Sequence, residues 1–86
     1  SENLDHEPTD EALRRRLEAI DLKILHLLNE RLRIENAIRP ELRAMGFRPE
    51  QIQETIEKLL AFNPGPLHDS LVEELFRKIL SLRTLY

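Results

Sequence analysis

Cysteine is absent from the 86 residues, and so is tryptophan. Without cysteine there is no disulfide framework, thiolate nucleophile or thiolate metal site, and the expected setting is the reducing cytoplasm. Glycine occurs only twice, and no segment alternates apolar with polar positions, which leaves little material for a sheet. No apolar run approaches the ~20 residues of a membrane span, and the start of the chain lacks the basic-then-apolar layout of a signal peptide. No membrane partner is therefore expected. The formal charge of -3 and a pI near 5.6 argue against nucleic acid as a partner, because such binders carry a basic excess. Arg14, Arg15 and Arg16 form the one tight basic run, and a solvated helix face accounts for at least two of them.

The usual catalytic constellations are missing too. His6, His26 and His68 are scattered without metal-ligand spacing, so no metal is expected. There is no glycine-rich loop to cradle a phosphate, no nucleophile set can be inferred, and no cofactor is implied. Phe47, Phe62, Phe76 and Tyr86 are not interleaved with basic residues as base stacking requires, so core packing explains them better.

What the chain does have is helical periodicity. Residues 1–8 read as a flexible polar arm and residues 9–86 as a single helical domain. Thr9 offers an N-cap, with Asp10 and Glu11 placed to complement the helix dipole. Leu13, Leu17, Ile20, Ile24, Leu27, position 31, Ile34 and Ile38 then recur at alternating steps of four and three, the mark of a face that packs on other helices. Leu25, Leu28 and Leu32 widen that face. Pro40 should kink or stop this long first helix near Arg39. A short helical piece, 41–45, a turn at Gly46 and a second helix from Pro49 to Phe62 follow, the latter burying Ile52, Ile56, Leu59 and Leu60. Asn63-Pro64-Gly65-Pro66 ends it. The third helix starts between His68 and Ser70, where Ser70 and Glu73 match a capping box, and its apolar face holds Leu71, Val72, Leu75, Phe76, Ile79, Leu80 and Leu82.

Arg31 breaks the first helix's apolar seam. A guanidinium keeps its proton, so on a packing face it must find an anion or reach solvent. The alternatives are an ion pair, with Glu35 one turn on as the nearest carboxylate, or a site for an anionic ligand.

At this point the chain resembles a known family. Ala12-Leu13-Arg14, Ile20-Asp21, Ile24-Leu25 and Leu27-Leu28-Asn29-Glu30-Arg31 are similar to the first helix of the all-helical class of chorismate mutases. Asn63-Pro64-Gly65-Pro66-Leu67, Asp69 and Leu75-Phe76-Arg77-Lys78-Ile79 resemble its later turn and last helix. The resemblance implies an all-α, three-helix protomer with a long, Pro40-kinked first helix, assembled as an intertwined homodimer that rearranges chorismate to prephenate. That reaction is intramolecular and needs no cofactor. A protein assists it by holding the dianion in its reactive conformer and stabilising charge on the departing ether oxygen. Arg14 and Arg31 match the family's two first-helix arginines, one from each subunit, which bind the substrate carboxylates. They lie 17 positions apart, about 25 Å along a straight helix and about 100° around it. One small molecule therefore meets both only if an antiparallel partner helix brings them together.

Elsewhere the resemblance implies losses. Leu42 stands where the family has the lysine that donates to the ether oxygen, with Arg43 beside it, and the connection between first and second helix is shorter than usual. The family's aspartate, arginine and essential glutamate fall on Arg48, Gln51 and Ile52, and its last-helix serine falls near Arg83. Three readings follow. In the first, the domain belongs to aromatic amino-acid metabolism, binds a chorismate-like dicarboxylate through Arg14 and Arg31, and serves a regulatory or dimerising role with weak or absent mutase activity. In the second, it is an active mutase with a rewired site, in which Arg43, Arg48 or Gln51 supplies the missing cation or polar contact. In the third, it is a helical interaction module unrelated to chorismate, and Arg31 merely pairs with Glu35.

Overall fold

Thr9 opens the first helix, α1 (Asp10–Ala37), as its place before two acidic residues predicts. Its Oγ1 accepts a hydrogen bond from the Ala12 amide at 3.1 Å, satisfying a donor that a helix start leaves without a partner. The Leu13 amide donates to the Thr9 carbonyl at 2.9 Å and begins the ladder. The computed structural model describes residues 7–83. Most of the expected arm, 1–8, lies outside the described residues, as do His6 and Tyr86, while Glu7 and Pro8 carry no regular structure.

Proline sets the next two helix starts. Arg39 takes φ -55 and ψ 140, the extended geometry that a following proline imposes, and α2 (Pro40–Met45) begins with that proline. The expected kink is thus a full break between two helices. Arg48 repeats the geometry at φ -68 and ψ 142 before α3 (Pro49–Ala61), which stops one residue before the expected end and is capped by Phe62.

Asn63 organises the turn that follows. Its Nδ2 donates to the Leu67 carbonyl at 2.7 Å and to Asp69 Oδ1 at 2.9 Å, while its Oδ1 accepts from the Gly65 amide at 3.1 Å. Gly65 has φ 73, the left-handed region that side chains with a Cβ resist. The last helix, α4 (Asp69–Leu80), starts with His68 at its N-cap and no side-chain cap. The expected Ser70–Glu73 capping box is therefore not formed. Ser70 already lies inside the helix, and Glu73 Oε2 accepts instead from Arg77 at 2.9 and 3.1 Å. Among the described residues all regular structure is helical, and no helix is long and apolar enough to cross a membrane.

By internal packing the chain divides into residues 1–30 and 31–86. The first unit contributes one helical stretch of α1. Its seam is exposed, with Leu17 at 60% and Leu27 at 62% of full accessibility, and no residue of α1 is buried. The face read as packing surface is open in the single chain, and Leu25 of the widened stripe is likewise exposed. The second unit holds the end of α1 together with α2, α3 and α4, and its main interhelix contact is α3 on α4. Ile56 at 0% exposure, Val72 and Leu80 form its buried core. Ile52, Leu59, Leu60, Phe76 and Ile79 are half-buried around them. Leu71, Leu75 and Leu82, expected on the buried face of the last helix, are exposed. A short helix with one main neighbour covers a single stripe; Leu71 and Leu75 lie on the adjoining one, and Leu82 lies past the end of α4. Arg77 ties the two helices further by donating to Gln53 Oε1.

Candidate functional site

Arg31 sits near the C-terminal end of α1, on the turn before Glu35. Its Nη1 lies 3.3 Å from Glu35 Oε2, and the side chains are 38% and 18% exposed. The i,i+4 spacing of a helix places the two charges on one face, and such a pair on its own contributes about 0.3–0.5 kcal/mol. The guanidinium is thus oriented by one contact that an incoming carboxylate can share or replace. Among the described residues that contact uses one of the guanidinium's five N–H donors.

Glu35 is also part of a cavity wall. The cavity, about 270 Å³ and partly open, lies in the second unit and is lined by Glu35, Asn36, Pro40, Arg43, Ala44, Phe47 and Arg83. The break at Pro40 lets α2 turn Arg43 back toward the end of α1, where its Nη1 donates to Asn36 Oδ1 at 3.0 Å. Phe47, in the turn between α2 and α3, is half-buried, and the Arg83 guanidinium carbon sits over its ring, 3.6 Å from the centroid. A cation over an aromatic face is attracted by the ring quadrupole, and this contact pins the end of α4 to that turn. With Glu35 matched by Arg31, the wall presents two further cations. Among the described residues of the wall the one carboxylate, Glu35, is already engaged.

The sequence-derived candidates divide accordingly. Arg43 lines the cavity, and Arg31 joins it through Glu35. Arg48 is the exposed N-cap of α3, and Gln51 is turned to Glu54, its Nε2 donating to Oε1 at 2.9 Å; neither is part of the wall. Arg14 lies exposed in α1 within the first unit. Leu42 is exposed on α2, and Ile52 is half-buried on α3 in the stripe that includes Ile56. Sequence reasoning assigned Phe47 to core packing and met Arg83 only as the position of a family serine. Their stacking has no local signal, since it depends on how α4 returns to the α2–α3 turn. Among the described residues no group of three His, Asp or Glu side chains is arranged to hold a metal.

Comparison with known proteins gives these features a context. The model of the chorismate mutase type II family matches residues 13–84. The chain is 40% identical over 70 residues to a bifunctional chorismate mutase/prephenate dehydratase of Neisseria gonorrhoeae, covering 79% of this chain and 19% of that protein. It is 33% identical over 78 residues to proteins of the same description from Pseudomonas aeruginosa and Stutzerimonas stutzeri, covering 81% of this chain and 21% of each. The chain thus spans about a fifth of the length of these relatives. No solved structure matches it at a significant level.

Proposed function

The chain belongs to the chorismate mutase type II family, and we propose that it binds a chorismate-like dicarboxylate while turning it over weakly or not at all. In this reading it acts in aromatic amino-acid metabolism as a ligand-sensing or dimerising domain. The observation that supports it is Arg31, a half-exposed guanidinium whose ion pair among the described residues is with Glu35, at the position that resembles the family's carboxylate-binding arginine. Arg14 of a second copy supplies the other carboxylate contact. The homodimer this requires is supported by the open apolar seam of α1, because a contiguous apolar face of this kind marks an association surface.

Weak turnover follows from what surrounds the clamp. The rearrangement has no proton transfer or covalent step, so its acceleration rests on conformer selection and on donors aimed at the ether oxygen. Leu42 offers no such donor, and Ile52 replaces a carboxylate with an apolar side chain. Loss of one donor of this type costs about 3 kcal/mol, or ~10²–10³ in rate.

One observation favours an active, rewired site instead. Arg43 is fixed by Asn36 inside the cavity and is a cation one residue from the missing lysine. The two readings separate on Arg31→Ala, assayed for chorismate binding and turnover against the parent chain. The first predicts binding lost from a protein with little turnover to lose; the second predicts an enzyme-like rate abolished by the substitution.

A further inference from the structure

Glu35 is badly placed to serve the helix that carries it. It stands in the last turn of α1, where the backbone carbonyls already concentrate negative charge and no basic residue is present. Its pairing with Arg31 also runs in the weaker order, because an acid placed four residues before its base complements the dipole and the reverse does not. The other ion pair among the described residues makes the contrast. There Glu73 precedes Arg77 and accepts two hydrogen bonds from it, at 2.9 and 3.1 Å, whereas Glu35 accepts one from Arg31, at 3.3 Å.

Helix stability thus gives no account of Glu35, and its surroundings do. The side chain is 18% exposed and belongs to the cavity wall that also holds Arg43 and Arg83. We propose that Glu35 is an internal competitor for Arg31: in the unliganded chain its carboxylate occupies the guanidinium that a ligand carboxylate must take. The proposal rests on the reading of Arg31 as a carboxylate-binding residue and adds a restraint to it. A single long contact exchanges readily. The displaced carboxylate is not stranded, because two cations share its wall and Asn36, the next residue along, already draws Arg43 to this end of α1. Glu35 therefore sets the affinity of the site below what Arg31 gives without it, and an anion that fails to outcompete the internal carboxylate is not retained.

The test is calorimetric titration of the parent chain, Glu35→Gln, Arg31→Ala and the double variant, with chorismate and separately with malonate. Glu35→Gln removes the charge and nearly keeps the shape, so both anions bind about tenfold tighter, as expected when a like charge beside a bound carboxylate is removed. Glu57→Gln, exposed on α3 and outside the wall, makes the same change in net charge and alters affinity by less than about twofold, which separates a local competitor from the field of the whole chain. In the Arg31→Ala background the gain from Glu35→Gln shrinks to about twofold or less, because no guanidinium is left to compete for. The thermal midpoint of Glu35→Gln is unchanged or raised, since a negative charge leaves the negative end of α1. A lowered midpoint with parent-like affinity for both anions marks a purely structural ion pair and overturns the proposal. Circular dichroism shows whether the helices are retained, and if Glu35→Gln unfolds, Glu35→Asp carries the test: its shorter side chain withdraws from Arg31, and both anions bind severalfold tighter. Chorismate bound by the parent, lost in Arg31→Ala and no tighter in Glu35→Gln overturns the competitor and leaves the role of Arg31 standing. Malonate bound tighter by Glu35→Gln through Arg31, with chorismate bound by neither chain, supports the competitor and overturns the chorismate reading. Binding of neither anion to either chain at millimolar concentration overturns both.

Discussion

In the proposed reading binding turns on Arg31, and its environment sets the size of the expected effect. It is half-exposed and shares its charge with Glu35 over 3.3 Å, so the folded chain loses little when it is removed: about 0.5 kcal/mol or less for an i,i+4 pair. A ligand carboxylate loses more. A hydrogen bond to a charged group contributes roughly 1.5–3 kcal/mol, so Arg31→Ala should weaken chorismate about tenfold to a hundredfold in a titration while the thermal midpoint barely moves. Gly65 shows the reverse dependence. Its φ is 73, yet an added Cβ would meet no atom within 4 Å, so backbone strain alone determines the outcome. Gly65→Ala should cost about 1 kcal/mol in a denaturant titration, with ligand affinity unchanged. Both residues stand out in the sequence: an arginine interrupting an apolar seam and a glycine between prolines each break a local rule. Arg83 and Phe47 break none, and only the folded second unit brings them together.

At the scale of the element, the helices that proline begins were the most legible. Pro40 and Pro49 dictate their own φ and the geometry of the residue before them, so both starts follow from covalent structure. The start of α4 was less so. Ser70 and Glu73 have the right spacing for a capping box, but Asn63 reaches Asp69, the helix begins there, and Arg77 takes Glu73. Burial was harder still to read, because an apolar stripe announces a packing face without naming its partner. Leu71 and Leu75 are exposed although they belong to the same run as buried Val72. Ile56, fully buried between α3 and α4, is where the element's stability concentrates. Ile56→Ala should lose about 2–5 kcal/mol by thermal or chemical unfolding, enough to unfold much of so small a domain.

For the whole molecule, the open face of α1 is the dominant fact. Leu17, Ile20, Ile24 and Leu27 are each about half exposed or more, and burying apolar surface is worth roughly 25 cal/mol per Å². A second copy laid against this face would stabilise both chains and bring Arg14 of one toward Arg31 of the other. Sedimentation at micromolar concentration should then show a dimer, and the thermal midpoint should rise with protein concentration. A monomer throughout that range would remove the shared clamp. The family and the helical architecture were legible from the Leu-Leu-Asn-Glu-Arg run and the Asn-Pro-Gly-Pro turn. The chemistry was less legible, because activity depends on where a few donors point, and in the proposed reading Leu42 and Ile52 alter that set without altering the helices that carry it.

The most direct test of binding without efficient rearrangement is to follow chorismate loss and chorismate binding in one folded preparation. Saturable binding with kcat far below about 1 per second is the result expected. Turnover above that rate, abolished by Arg31→Ala, would contradict it and establish a rewired mutase.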